Sequence, residues 1–237
     1  MAWIGSSNRT ILILDPSLTE DDFNSVLAKI SIKRTSEDVS KLGPVERITP
    51  EAISSLNDLC DKLDNLPSLK NKYILLPNVN NKGQDTIFRN GYTEYYKSMK
   101  CIAGYVDGKK KNDIGWKNKI NGADPSYGNK AIAVIQTSDN RNRNFSELGT
   151  ATSWIKWSVP TTEALRQAFL AKESRVCDEE PKLPRRWIES IEVSDSKFFG
   201  SLHINFNQQY NAIIGGRGTG KSTILEYIRW SFYDEII

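Results

Sequence analysis

Apolar residues gather in short runs along the chain, and the polar stretches between them carry helical spacing. Residues 10–14 (TILIL) predict a buried strand, and Thr19 with Asp22, a hydroxyl cap with a carboxylate three positions on, opens a helix to about Ile30. Thr49 and Pro50, as cap and first-turn proline, predict a second helix on which Ile53, Leu56, Leu59 and Leu63 share one face. Residues 73–76 (YILL) then predict a strand. A helix is expected within 92–99, a strand at 101–106 and a polar surface loop over 107–130. Residues 131–136 (AIAVIQ) and, more briefly, 153–157 (SWIKW) predict strands, and Thr161 or Thr162 caps a helix across 165–170. Strands alternating with helices predict an α/β layer fold.

Residues 178–186 (DEEPKLPRR) are charged, contain two prolines and lack periodicity, the pattern of a linker. The expected organisation is a first unit over 1–178, a linker over 179–186 and a second unit over 187–237. In the second unit, residues 188–193, 202–206 and 210–214 predict three close strands. Alternation in 202–206 puts Leu202, Ile204 and Phe206 on one face and His203, the only histidine, on the other, where it reads as a sheet-face residue.

The third of these strands runs into GGRGTGKS at 215–222, a G-x-x-x-x-G-K-[ST] phosphate loop, and 223–230 (TILEYIRW) predict the helix leaving it. Ala212, Ile213 and Ile214 are expected to be buried ahead of the loop. Gly215, Gly216, Gly218 and Gly220 carry no Cβ, so the backbone N–H groups of the loop, Arg217 and Thr219 included, can approach phosphate oxygens beside a helix N-terminus. Lys221 is expected at the β- and γ-phosphates, Ser222 at Mg²⁺ and Thr223 on the α-phosphate side. The expected ligand is ATP with Mg²⁺, and no catalytic residue is assigned.

Composition changes this picture little. The chain has 237 residues, 38% hydrophobic and 26% charged, an ordinary globular balance, and a net charge of +3 that does not itself call for a polyanionic partner. The basic stretches at 109–111 and 141–143 lack interleaved aromatics and read as solvated loops. Cys60, Cys101 and Cys177 are few and far apart, as core thiols of a cytoplasmic protein would be. No 18-residue apolar span or signal-peptide pattern is present, so no membrane partner is expected.

Residues 188–232 (IESIEVSDSKFFGSLHINFNQQYNAIIGGRGTGKSTILEYIRWSF) resemble the N-terminal lobe of ABC-type ATPases of the structural-maintenance-of-chromosomes and RecF kind. The resemblance implies ATP as ligand and puts Ser196, Lys197 and Phe198 in a turn near the nucleotide. It also implies dimerising ATPase heads and possible action on DNA, or in phage defence, by a complete protein. In that family the Q-loop, signature motif, Walker B carboxylates and switch histidine come later in the chain. They are therefore expected from a continuation or from another polypeptide, with little hydrolysis by this chain alone.

Residues 132–176 resemble the closing segment of a PHP domain, in particular the PHP-to-ATPase fusions known as TrlF-type AAA-like ATPases. Ser138 and Asp139 match a strand ending in S-D-x-H, with Arg141 in the histidine's place, and LLPNVNNKG at 75–83 resembles P-H-V-x-x-K-G, with Asn78 where a metal-binding histidine would stand. The implied fold is α/β: a partial PHP-like βα-barrel-type domain followed by the lobe strands and phosphate-loop helix of the ATPase. The metal ligands are expected to be lost, Asp139 being the one carboxylate retained. Two alternatives stay open: a metal-dependent PHP phosphoesterase, and an interaction module whose phosphate loop is never occupied. Residues 11–15 (ILILD) imitate a Walker B strand, but Pro16 replaces the second acidic residue and the motif lies in the other unit.

Overall fold

The computed structural model describes residues 2–4, 8–30, 32–39, 43–50, 53–140 and 143–233; for 2–4, 8, 32–39 and 43–50 the backbone alone is described. The chain divides into two compact units, Met1–Glu180 and Pro181–Ile237.

The first unit runs β1 (Ala2–Ile4), β2 (Asn8–Leu14), α1 (Glu20–Lys29), β3 (Ile32–Val39), β4 (Gly43–Pro50), α2 (Leu56–Asp64), β5 (Tyr73–Pro77), α3 (Thr93–Ser98), β6 (Ala103–Asp107), α4 (Ile114–Ile120), β7 (Ala133–Thr137), β8 (Trp154–Ile155), α5 (Thr162–Leu170), α6 (Lys172–Arg175) and β9 (Val176–Cys177). β1, β2 and β5 are antiparallel neighbours, with Thr10 opposite Pro77 and Leu14 opposite Tyr73. β6 and β7 pair in parallel, Ala103 opposite Ala133. A parallel bridge between Asn78 and Tyr105, and the Val79 N–H donating to the Tyr105 carbonyl at 2.9 Å, connect β5 to β6. β3 and β4 form a separate hairpin, and β8 pairs antiparallel with β9 across the intervening α5 and α6.

β5 is buried along its whole length and organises the core. Its pleat sends Tyr73 and Leu75 to one side, among Val26 of α1 and Leu59 and Leu63 of α2. Ile74 and Leu76 face the other side, among Leu165 and Phe169 of α5. Helices thus cover both faces of a central apolar strand, the α/β layering that the alternation of elements predicts.

Several boundaries differ from expectation. α2 starts at Leu56, capped by Ser55, whose hydroxyl accepts from the Asp58 N–H. Thr49 and Pro50 lie instead on β4, opposite Lys33 and Ile32, because that segment has a long antiparallel partner to pair with. The expected loop over 107–130 contains α4: Asp113 caps it, and Trp116 and Ile120, four residues apart, are buried on one side. β2 runs antiparallel to β5, which departs from simple βα repeats. Cys60 and Cys101 are buried, whereas Cys177 is exposed on the short β9. Arg141 lies outside the described residues.

In the second unit, β10 (Ser190–Ser196) and β11 (Gly200–Asn205) form an antiparallel hairpin, with Ile191 opposite Ile204 and Val193 opposite Leu202, followed by α7 (Lys221–Phe232). Residues 210–214 form no strand. Asn207 and Asn211 close a turn on each other through their amides: the Asn207 N–H donates to Asn211 Oδ1 at 2.9 Å, and Asn211 Nδ2 donates to the Asn207 carbonyl at 2.9 Å. Beyond that turn the described strands of this unit are already paired with each other, so the apolar run finds no ladder partner and Ile214 is 92% exposed.

Asp15, at the end of β2, is committed to structure within the first unit. Its Oδ2 accepts from the Thr162 N–H at 2.8 Å and from Thr162 Oγ1 at 3.0 Å, and its Oδ1 accepts from the Ser17 N–H at 3.0 Å. Hydrogen bonds from the Ser17 hydroxyl and the Thr162 N–H hold the carboxyl well below the ordinary 3.8, against the opposing effect of burial. Because the folded state favours the ionised form, this contribution is present above the unfolded pKa and is lost as pH falls through the folded one. Acid titration of stability should therefore show a loss beginning near pH 4 that Asp15→Asn flattens. At pH 7, Asp15→Asn or Thr162→Val should cost about 1 to 3 kcal/mol in chemical denaturation.

Candidate functional site

The phosphate loop is built from two left-handed glycines and a buttress of aromatic rings. Gly218 and Gly220 have φ of 77° and 85°, and Gly220 is the residue from which α7 departs. A Cβ on Gly220 would lie 2.7 Å from Phe198 Cε1 and well inside contact distance of the Phe199 ring, so glycine is required for backbone conformation and for space at once. Those rings are presented by the turn between β10 and β11. There the Phe198 and Phe199 N–H groups donate to Ser196 Oγ at 3.3 and 3.2 Å, and Ser196 Oγ pairs with the Tyr227 hydroxyl at 3.1 Å. The edge-to-face series Phe198, Phe199, Tyr227 and Trp230, with centroids 4.9 to 6.4 Å apart, carries the contact along α7.

Inside the loop, Thr219 Oγ1 donates to the Gly216 carbonyl at 3.0 Å, and Lys221 Nζ donates to the Gly215 carbonyl at 2.8 Å and to the Gly216 carbonyl. The ammonium group is thereby held over the loop rather than extended into solvent. The first i→i−4 bond of α7 runs from the Ile224 N–H to the Gly220 carbonyl at 3.1 Å, so the N–H groups of Lys221, Ser222 and Thr223 precede the helical ladder. Arg217 and Ser222 are exposed and Thr223 is half-buried. A glycine loop, helix N–H groups ahead of the ladder and an ammonium held over the loop make a candidate anion site.

The residues singled out from sequence in 215–223 therefore lie together on one loop and one helical turn. Phe199 and Tyr227 were missed. The paired aromatics of the FFG turn were the available signal, because a glycine in the loop and bulky rings in the preceding hairpin suggest mutual packing. His203 is exposed, its Nε2 3.0 Å from Asn205 Oδ1 on its own strand.

In the first unit, Asn78 is fully buried, and its amide Nδ2 donates to Asp107 Oδ2 at 2.8 Å. Asn80 Nδ2 donates to the same oxygen at 2.9 Å, and Asn80 Oδ1 accepts from the Asp107 N–H at 3.1 Å. Asn78, which the resemblance puts where a metal-binding histidine would stand, is thus a carboxamide spent on a neighbouring carboxylate. Among the described residues no group of three or more His, Cys, Asp or Glu side chains gathers to hold a metal ion. Ser138 Oγ lies 3.2 Å from the Ala151 carbonyl and accepts from the Gly149 N–H at 3.0 Å, which ties the loop after β7 back on itself. Among the described residues no helix is long and apolar enough to cross a membrane.

A family model for the AAA domain matches residues 190–236, the segment that contains the hairpin, the loop and α7. No curated protein and no solved structure matches the chain. The matched segment is similar to a family of nucleotide-binding ATPases, and its donors suit the polyphosphate and magnesium that such proteins use.

Gly220→Ala should disturb the loop without removing any of its donors. The expected result is at least tenfold weaker Mg-ATP binding by isothermal titration, with a destabilisation of about 1 to 3 kcal/mol from the imposed φ and the ring contacts.

Proposed function

We propose that residues 187–237 form the phosphate-binding half of an ATP site, joined through a 179–186 linker to a first unit that is a PHP-like scaffold without a metal centre. The observation that carries the proposal is the glycine loop entering the first turn of α7 with Lys221 Nζ over the loop carbonyls. When a nucleotide binds, the backbone N–H groups of 216–223 and the Lys221 ammonium would hold its phosphates, and the exposed Ser222 hydroxyl would serve as a ligand to Mg²⁺. The metal ion supplies charge neutralisation at the phosphates.

Hydrolysis needs more than this half supplies. Phosphoryl transfer depends on charge neutralisation and on a group that orients water. Glu226 is four residues beyond Ser222 on an exposed part of α7, with Arg229 3.9 Å away. Asp15, the acidic end of the Walker B look-alike, is taken by Thr162. The exposure of Ile214, Leu225, Trp230 and Phe232 further supports completion of the site by additional protein surface. By resemblance, that surface is the remainder of an ATPase head of the structural-maintenance-of-chromosomes kind, acting as a dimer in DNA transactions or phage defence.

Lys221→Ala should reduce Mg-ATP affinity at least a hundredfold in isothermal titration while leaving the melting temperature of the free chain unchanged. Retained affinity would overturn the site. Absence of any thermal protection of the unaltered chain by Mg-ATP would favour an interaction module in its place.

A further inference from the structure

In the first unit a cavity of about 290 Å³ opens at the carboxyl ends of β5 and β6, which run in the same direction. Its wall carries four lysines, Lys82, Lys109, Lys110 and Lys111, and two carboxylates, Asp107 and Asp113. Crevices at this end of parallel strands are where open α/β sheets receive their ligands.

Both carboxylates are spent on uncharged donors. Asp107 Oδ2 accepts from the carboxamides of Asn78 and Asn80 at 2.8 and 2.9 Å, and Asp113 accepts from Asn81 Nδ2 at 2.9 Å and from the Trp116 N–H at 2.8 Å. Among the described residues, Lys110 alone of the four lysines has an ion pair, with Asp178 Oδ1 at 2.6 Å. Lys82, Lys109 and Lys111 are exposed, and among the described residues none of them meets a carboxylate. Three ammonium groups without counter-charges around one concavity focus positive potential into it.

The lysine run is not the free loop that its composition suggests. Gly108, left-handed at φ 77°, donates its N–H to the Thr137 carbonyl at 2.8 Å, and the Lys110 N–H donates to Gln136 Oε1 at 2.7 Å, so β7 pins the backbone on both sides of Lys109. On the other segment, the bond from Asn81 to Asp113 ties the residue before Lys82 to the start of α4, and Trp116 Nε1 donates to the Val79 carbonyl at 2.7 Å. The cations thus stand on two braced stretches of chain, and a bound anion relieves their mutual repulsion.

We propose that this cavity binds a compact polyanion of the size and charge of pyrophosphate, without a metal ion, through Lys82, Lys109 and Lys111. Its volume of about 290 Å³ lies at the bottom of the range of roughly 300 to 1,000 Å³ found for small-molecule sites, which suits a compact ion better than a whole nucleotide. Charge narrows the choice further, because three ammonium groups match a diphosphate more closely than a single phosphate. The site belongs to the first unit alone and does not rest on the phosphate loop.

The test is isothermal titration of pyrophosphate, at low ionic strength with a chelator and no divalent ion, into the full chain carrying Lys221→Ala, so that the loop ammonium contributes nothing. The expected result is saturable binding that weakens about tenfold or more when Lys82, Lys109 and Lys111 are also replaced by glutamine, with orthophosphate bound about tenfold or more weaker than pyrophosphate. Because the three lysines are exposed, the melting temperature should stay that of the Lys221→Ala chain. Should the combined variant fold poorly, Lys109→Glu alone gives the same readout. Absence of saturable binding would overturn the proposal, as would affinity that survives the lysine changes, equal affinity for the two anions, or binding that appears only when a divalent ion is added.

Discussion

Everything the second unit offers a ligand depends on one steric constraint, the left-handed Gly220 pressed beneath Phe198 and Phe199. With no Cβ at this position, the turn between β10 and β11 can settle onto the start of α7, and the helix can leave the loop with the N–H groups of Lys221, Ser222 and Thr223 ahead of its ladder. Ser196 fixes the same junction from the other side by binding two backbone N–H groups of the turn and the Tyr227 hydroxyl. The aromatic series along α7 thus does for the loop what a hydrophobic core does for a domain. It gives a short, glycine-rich segment a defined geometry at modest conformational cost.

The two units solve the problem of a buried apolar strand differently. In the first, β5 has a strand on each side and helices on both faces, so its run of apolar residues is fully enclosed. In the second, the chemically similar run at 210–214 has no strand beside it among the described residues, and Ile214 remains almost fully exposed. An apolar segment leading into a phosphate loop is costly to leave in water, at about 25 cal/mol per Å² of apolar area. That exposure is the physical ground for treating the proposed nucleotide site as one side of a larger interface.

Much of this was legible in the sequence, and the failures have definite causes. The capping box of Thr19 and Asp22 is formed as its spacing predicts, and Ile53, Leu56, Leu59 and Leu63 are buried together. Lys221, Ser222 and Thr223 open a helix after a glycine loop, as the motif requires. Thr49 and Pro50 misled because a hydroxyl followed by proline suits a strand end as well as a helix start, and the long-range pairing of β3 with β4 decided between them. α4 was hidden because its apolar face consists of two residues, Trp116 and Ile120, in a lysine-rich stretch. The missing strand at 210–214 has a different cause: local pattern reports a wish to be buried, and burial also needs neighbours.

The central claim is that residues 215–224 are a nucleotide cradle held ready by Gly220 and its aromatic buttress. Hydrogen–deuterium exchange with and without Mg-ATP tests it most directly, because the amides assigned to the ligand are themselves observed. The account predicts slowed exchange across 215–224, with little change in β5 or α2 of the first unit. Unchanged exchange in 215–224 at saturating Mg-ATP, or protection confined to the first unit, would contradict it.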